Sequence, residues 1–311
     1  MKKKYGVFDS YKTYVNMFIF MVIFYLAYYI IIGFVSRGLN MTNEEISSSK
    51  VIFYIQCLIS PLMFFSLFLW QNRKKRYDTI NIIGVNKKFN YKHFLLSILL
   101  ATMCIVFFAS FCSVFDKALE YIGFNPNDDI DNSSLGIMLL NLLFLSALPA
   151  ICEELIFRGI IYNGLTEKHS KFGAVLISAT LFALMHGSLQ QFLYQFIMGL
   201  FLGIIVMYTG NVIYSMFLHF TNNSAIILID YFSQSTTNFT TLEVIGSAVL
   251  AIAGIVVTYV VFKRMLDIKN REDGVNNSNV KYSLEEKEYM LIGILIAVII
   301  WIITTISVFL S

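Results

Sequence analysis

Long apolar runs, rather than alternating or amphipathic patterns, organise this chain of 311 residues. Nine can be marked, at 14–35, 51–70, 91–115, 135–163, 172–187, 189–208, 211–231, 242–262 and 288–310. Most approach or exceed the ~20 residues that a helix needs to cross the hydrocarbon of a bilayer. The run 172–187 is short and suits a helix buried among its neighbours. The pattern predicts an all-α fold, a polytopic transmembrane helical bundle of about 8–9 transmembrane helices.

Composition agrees. Hydrophobic residues make up 57% of the chain and charged residues 14%, where a soluble domain carries about 25% charged residues. The first run follows Met1-Lys2-Lys3-Lys4 but is too long for a signal-peptide core and has no Ala-x-Ala exit, so it reads as a retained anchor. Cys57, Cys104, Cys112 and Cys152 all fall within apolar runs without metal or disulfide spacing, as buried thiols do.

The loops alternate in charge. Lys2, Lys3 and Lys4 precede the first run; Arg73, Lys74, Lys75, Arg76, Lys87, Lys88 and Lys92 lie between the second and third. Lys168 and Lys171 lie between the fourth and fifth, and Lys263, Arg264, Lys269, Arg271 and Lys281 between the eighth and ninth. The other loops hold Glu44 and Glu45, then Asp116, Glu120, Asp128, Asp129 and Asp131. Excess Lys and Arg on the cytoplasmic side places the N-terminus in the cytosol and the C-terminus outside. Three regions follow: helices one to three at 1–134, helices four to seven at 135–231, and helices eight and nine at 232–311, the last with a charged, Asn-rich cytosolic linker at 267–286.

The informative residues are the charges that interrupt the fourth run, Ile151-Cys152-Glu153-Glu154-Leu155-Ile156-Phe157-Arg158. Each costs roughly 2.5–3.5 kcal/mol at the bilayer centre on insertion scales. Residues four apart share a helix face, so Glu154 and Arg158 are expected to form a neutralised pair. Glu153 points elsewhere and is left as the reactive carboxylate. On this segment alone, all three could instead merely hold helices together.

Two more segments add to it. Phe182 and His186 share a face of the fifth run, and His219 and Asn223 share a face of the seventh. At ~1.5 Å per residue, His219 lies ~12 Å in from 211, Glu153 ~15 Å from 163, and His186 ~21 Å from 172. Three polar groups at similar depth can converge on one buried, water-accessible cavity. His93 and His169 sit at span edges and read as interfacial. Pro149 removes one helix hydrogen bond and is expected to bend the fourth span. Gly199 and Gly203 make a G-x-x-x-G face suited to close helix packing.

E-E-x-x-x-R at Glu153, Glu154 and Arg158, F-x-x-x-H at Phe182 and His186, and H-x-x-x-N at His219 and Asn223, in that order on successive spans, resemble the CPBP family. These are the CAAX-protease and bacteriocin-processing intramembrane peptidases, also called Abi. The matching core runs over 135–231. The resemblance implies peptide-bond hydrolysis within the membrane, with Glu153 and His186 activating a water and His219 and Asn223 stabilising the oxyanion or helping to bind that water. Glu154, Arg158 and Phe182 support the site. Glu153, His186 and His219 are also ligand types that could hold zinc with an open fourth position; the same groups could work without metal, and the sequence leaves both open, with the ligand types favouring metal. H-E-x-x-H is absent.

The expected partners are a membrane-embedded peptide or protein substrate and the lipid bilayer, with no nucleic acid. Two other readings compete: a proton or ion path through the same polar groups, and a non-catalytic bacteriocin-immunity or regulatory membrane protein. The Asn-, Ile- and Lys-rich composition suggests an AT-rich bacterial genome, hence a bacterial cell membrane and a peptide precursor rather than a prenylated protein as substrate.

Overall fold

The computed structural model describes residues 4–73, 77–106 and 131–233, with isolated positions at 115, 119, 121, 249, 253, 256, 257 and 260. Apart from those positions, the expected spans 242–262 and 288–310, the linker 267–286 and the far end of span 91–115 lie outside the described residues. So do Cys112 and most of the acidic loop before Asp131.

Nine helices occur among the described residues, with no β-strand. They are α1 (Val7–Leu39), α2 (Asn43–Ser48), α3 (Lys50–Asn72), α4 (Thr79–Ile83), α5 (Tyr91–Cys104), α6 (Leu135–Leu165), α7 (Lys171–Met185), α8 (Leu189–Thr209) and α9 (Val212–Ser233). Helices α1, α3, α6, α8 and α9 are long and apolar enough to cross a membrane, while α5 and α7 are shorter apolar helices. The chain is an all-α, polytopic integral membrane protein, as the apolar runs predict. Thr42, Ser49, Asn90 and Ser134 cap the starts of α2, α3, α5 and α6, each accepting a hydrogen bond from a first-turn N–H. Ser170 and Ser188 do the same for α7 and α8. A side-chain oxygen at that position satisfies one of the donors that a helix start leaves over.

Helix α6 is the hub. It packs against α1, α3, α4, α7, α8 and α9, and its polar side chains are therefore screened from lipid on nearly every side. Buried hydroxyls tie it to its neighbours through backbone carbonyls: Ser10 Oγ donates to Ile161 O at 2.8 Å, and Ser178 Oγ donates to Phe157 O at 3.2 Å. Tyr14 of α1 in turn donates to Leu181 O of α7 at 3.0 Å. At the opposite end, Lys50 pairs with Asp131 at 2.7 Å. That contact and the hydrogen bonds of Ser133 hold the Asp131 carboxyl below the usual carboxylate range.

Helices α7 and α8 approach each other closely. A Cβ at Gly199 would stand 3.0 Å from Ala179 Cα, and one at Gly203 would stand 2.7 Å from Val175 Cγ1. The small-residue face expected in the sixth run is thus a packing face, which lipid-embedded helices use because dispersion contact there replaces a hydrophobic drive.

A leucine at Gly199 should lower the thermal stability of the purified protein in detergent by about 1–3 kcal/mol, the usual range for overpacking. A leucine at Gly33, where a Cβ meets nothing within 4 Å, should leave it nearly unchanged. Equal melting temperatures for the two variants would show that the α7–α8 approach is not tight.

Candidate active site

The acid pair sits between two π-helical stretches of α6, Leu142–Ala147 and Leu155–Ile161. Pro149, where a bend is expected, directly follows the first of these stretches. Proline has no N–H for the carbonyl four residues back, here Leu145 O. Asn223 Nδ2 of α9 donates to that carbonyl at 3.3 Å. The second stretch widens the helix at Arg158, and Asn163 Nδ2 answers the Arg158 and Gly159 carbonyls at 2.7 and 3.1 Å. Single π-turns inside α-helices gather at functional sites because they re-aim side chains without ending the helix.

Glu154 and Arg158 form the pair that their spacing predicts, with Arg158 Nη1 3.0 Å from Glu154 Oε1 and both side chains fully buried. The pairing extends further than expected. His219 Nδ1 reaches the same oxygen at 3.2 Å, and Arg158 Nη2 donates to Gly199 O at 3.0 Å. One carboxylate oxygen therefore joins α6 to α9, and its guanidinium partner joins α6 to α8. An ionised carboxylate only accepts, so His219 carries a proton on Nδ1 and presents Nε2 away from Glu154.

Phe182 is the wall between these groups. Its ring lies 4.6 Å from Arg158 Cζ, 4.8 Å from the His186 ring and 6.1 Å from the His219 ring. The guanidinium over its face is a cation–π contact. His186 stands just past the end of α7 rather than within it, as its C-terminal cap. Its Nδ1 lies 2.9 Å from Phe182 O, an atom that only accepts. His186 Nδ1 is therefore protonated and Nε2 is left as the acceptor.

Glu153 is 7% exposed. Its carboxylate makes no hydrogen bond among the described residues, in contrast to that of Glu154. Its electrostatic neighbours are His219, Glu154 and Arg158, and those of His186 include His219 and Arg158. Residues expected from three separate spans thus fall into one cluster.

Several members of that cluster were not anticipated. Ser215 lies four residues before His219, with its hydroxyl beside the Glu154 carboxylate; the repeat Ser215, His219, Asn223 is a polar stripe at helical spacing. Asn222 is 1% exposed. Its Oδ1 accepts from Tyr194 OH at 2.6 Å, and its Nδ2 donates to Asn223 Oδ1 at 3.2 Å. Ser146 Oγ donates to Phe220 O at 3.0 Å and lies 2.8 Å from Ser224 Oγ. Nothing in the spacing of Tyr194 or Ser146 announces these contacts, which depend on the register between helices.

Both histidines commit Nδ1 to the protein, so only Nε2 of each is available to an incoming group. Among the described residues no three His, Cys, Asp or Glu side chains are arranged to hold a metal ion. Glu153, His186 and His219 are not brought together as the ligand set that their types suggested, and no step below is routed through a metal. His93 and His169 lie outside the cluster, His93 against the Tyr208 and Tyr214 rings and His169 in the turn between α6 and α7. Cys57, Cys104 and Cys152 form no disulfide among the described residues.

Residues 135–225 match the family described as type II CAAX prenyl endopeptidase Rce1-like. The chain is 28% identical over 142 residues to the "Putative membrane peptidase YdiL" of Bacillus subtilis (strain 168), a match that covers 42% of this chain and 58% of that relative. No solved structure matches the chain. The family match falls on the segment that carries all three motifs, and both findings bear out the resemblance to the CPBP peptidases.

The shared oxygen of Glu154 makes a prediction about stability. Arg158→Ala strands a buried carboxylate and should cost about 3–5 kcal/mol. Arg158→Met combined with Glu154→Leu should recover much of that loss, since apolar replacement of a whole buried pair is often neutral. The check is a double-mutant cycle by thermal unfolding in detergent, in which strictly additive losses would exclude the coupling.

Proposed function

We propose that the chain is an intramembrane endopeptidase that hydrolyses a membrane-associated peptide or protein. The observation that carries this reading is the cluster itself. A buried carboxylate without a hydrogen bond, Glu153, stands in electrostatic reach of His219. His219 and His186 each turn Nε2 away from the protein acceptor that orients the ring.

In this reading Glu153 takes a proton from water while His186 Nε2 accepts that water's other hydrogen. The hydroxide adds to the scissile carbonyl. The oxyanion is met by Asn223 Nδ2, whose second hydrogen remains beyond its bond to Leu145 O, and by His219 when Nε2 is protonated. Such fixed donors commonly supply the largest part of catalysis in acyl transfer. Glu153 then passes its proton to the leaving nitrogen as the C–N bond breaks, so that one water is consumed and a carboxyl and an amine are released. Glu154, Arg158 and Phe182 touch no reacting atom; they hold His219 and the helix ends in place.

The catalytic unit is 135–231. The regions 1–134 and 232–311 flank it in sequence, with the linker 267–286 before the last apolar run. We place the protein in a bacterial cell membrane with its N-terminus in the cytosol, on the alternation of loop charge. A peptide precursor is the favoured substrate. The family named by the matching model is described for CAAX prenyl substrates, and prenylated proteins are not expected in the host that the composition suggests.

Glu153→Gln keeps shape and polarity but cannot act as a base. It should lower turnover by roughly 10²–10⁴-fold, the usual contribution of a general base, while thermal stability in detergent changes little. The check compares membrane peptides from cells carrying the native and Glu153→Gln chains. Identical peptide profiles would sink the enzyme reading and favour a non-catalytic immunity or regulatory role.

A further inference from the structure

A cavity of about 220 Å³ lies between the start of α1 and the end of α3, far from the acid pair in sequence and lined by different residues. Phe8, Asp9 and Lys12 form one wall, and Trp70, Arg73 and Tyr77 form the other. Its one carboxylate is already engaged. Asp9 Oδ2 accepts from the Gly6 N–H at 2.9 Å, and Asp9 Oδ1 accepts from Tyr77 OH at 2.6 Å. The two cations are held on aromatic faces instead. Lys12 Nζ lies 5.5 Å from the Phe8 ring centroid and Arg73 Cζ lies 4.8 Å from that of Trp70. Neither makes an ion pair among the described residues.

Position supplies the second part of the argument. This end of the bundle is the basic one. Val7 N donates to Glu167 in the turn that holds Lys168 and Lys171, and tryptophan and arginine are residues that anchor helices at a membrane interface. Leading away from the cavity toward the membrane interior, both helices expose apolar side chains: Ile19 on α1, and Phe65 and Leu69 on α3, are 51%, 45% and 53% exposed. The cavity therefore has a cationic head and an apolar apron. Basic pockets between spans on the cytoplasmic side suit anionic headgroups in this way.

We propose that this cavity binds the phosphate of an anionic phospholipid headgroup, with Lys12 and Arg73 as its charged ligands and the acyl chains lying along α1 and α3. A free phosphate ion would satisfy the same two cations but has no use for the apolar apron.

The chain has two tryptophans, Trp70 and Trp301. A Trp301→Phe version of the full chain, reconstituted in bilayers, makes Trp70 the sole indole reporter. Brominated phosphatidylglycerol should quench Trp70 more strongly than brominated phosphatidylcholine at the same mole fraction. Lys12→Gln and Arg73→Gln should each reduce that preference by up to about fivefold, the usual contribution of one basic residue near an anionic surface. Lys87→Gln with Lys88→Gln, in another basic loop, should leave it intact. Equal quenching by the two lipids would overturn the proposal, as would a preference that survives loss of both Lys12 and Arg73. Inorganic phosphate should leave the quenching unchanged; its displacing the lipid would assign the site to a free anion.

Discussion

One carboxylate oxygen, Oε1 of Glu154, receives a guanidinium from its own helix and an imidazole from another. In hydrocarbon, neither the carboxylate nor the guanidinium could stay charged and alone, because each unpaired ion carries a desolvation cost of several kcal/mol. The two ions are tolerable only together, and docking of α6 against α8 and α9 adds the Gly199 carbonyl and the His219 imidazole that complete their surroundings. The arrangement is therefore a condition for the bundle as much as a feature of the site. The Gly199 carbonyl shows the dependence: it accepts from Arg158 at the same residue where α8 packs closely on Ala179 of α7.

The site is built from what the supporting framework leaves over. Glu154 and the Phe182 carbonyl consume the Nδ1 atoms of the two histidines, Leu145 O takes one hydrogen of Asn223, and Asn222 fixes the Asn223 carbonyl. In the proposed mechanism each histidine offers its remaining ring nitrogen, Asn223 its remaining amide hydrogen, and Glu153 a carboxylate without a hydrogen bond. Pre-organisation of this kind removes the need to reorient dipoles during reaction. Fixing the rings through backbone and carboxylate acceptors also makes the chemistry depend on helix positions rather than on side-chain rotamers alone.

Much of this was legible in the sequence because membrane helices obey two simple rules, apolar length and a four-residue face. The helices that begin at 135, 171, 189 and 212 lie within a residue of the starts read from hydropathy, and the Glu154–Arg158 pair follows from spacing. His219 on Glu154 was not legible. It joins residues 65 apart, and no local pattern sets the rotation of α9 against α6. The same is true of Tyr194 on Asn222. Pro149 announced a disturbance but not its form, since proline removes a donor without dictating whether the helix kinks or widens. His186 was read as sharing a face with Phe182 near the end of its run, and it caps α7 there because Gly187 adopts positive φ. The metal-ligand reading came from residue types and matched depth, neither of which sets the direction of a lone pair.

The missing N–H of Pro149 also bears on how such a chain is assembled. Inserted by itself, α6 would present to lipid an unfinished run of backbone and three charged side chains. The groups that complete it arrive later in the polypeptide: Gly199 some forty residues on, then His219 and Asn223 near the end of the core. Until those spans emerge, α6 has no stable resting place in the bilayer centre and is best kept beside protein or water. Biogenesis of this bundle is thereby made order-dependent, with the segment of greatest chemical interest the last to be sealed from its surroundings.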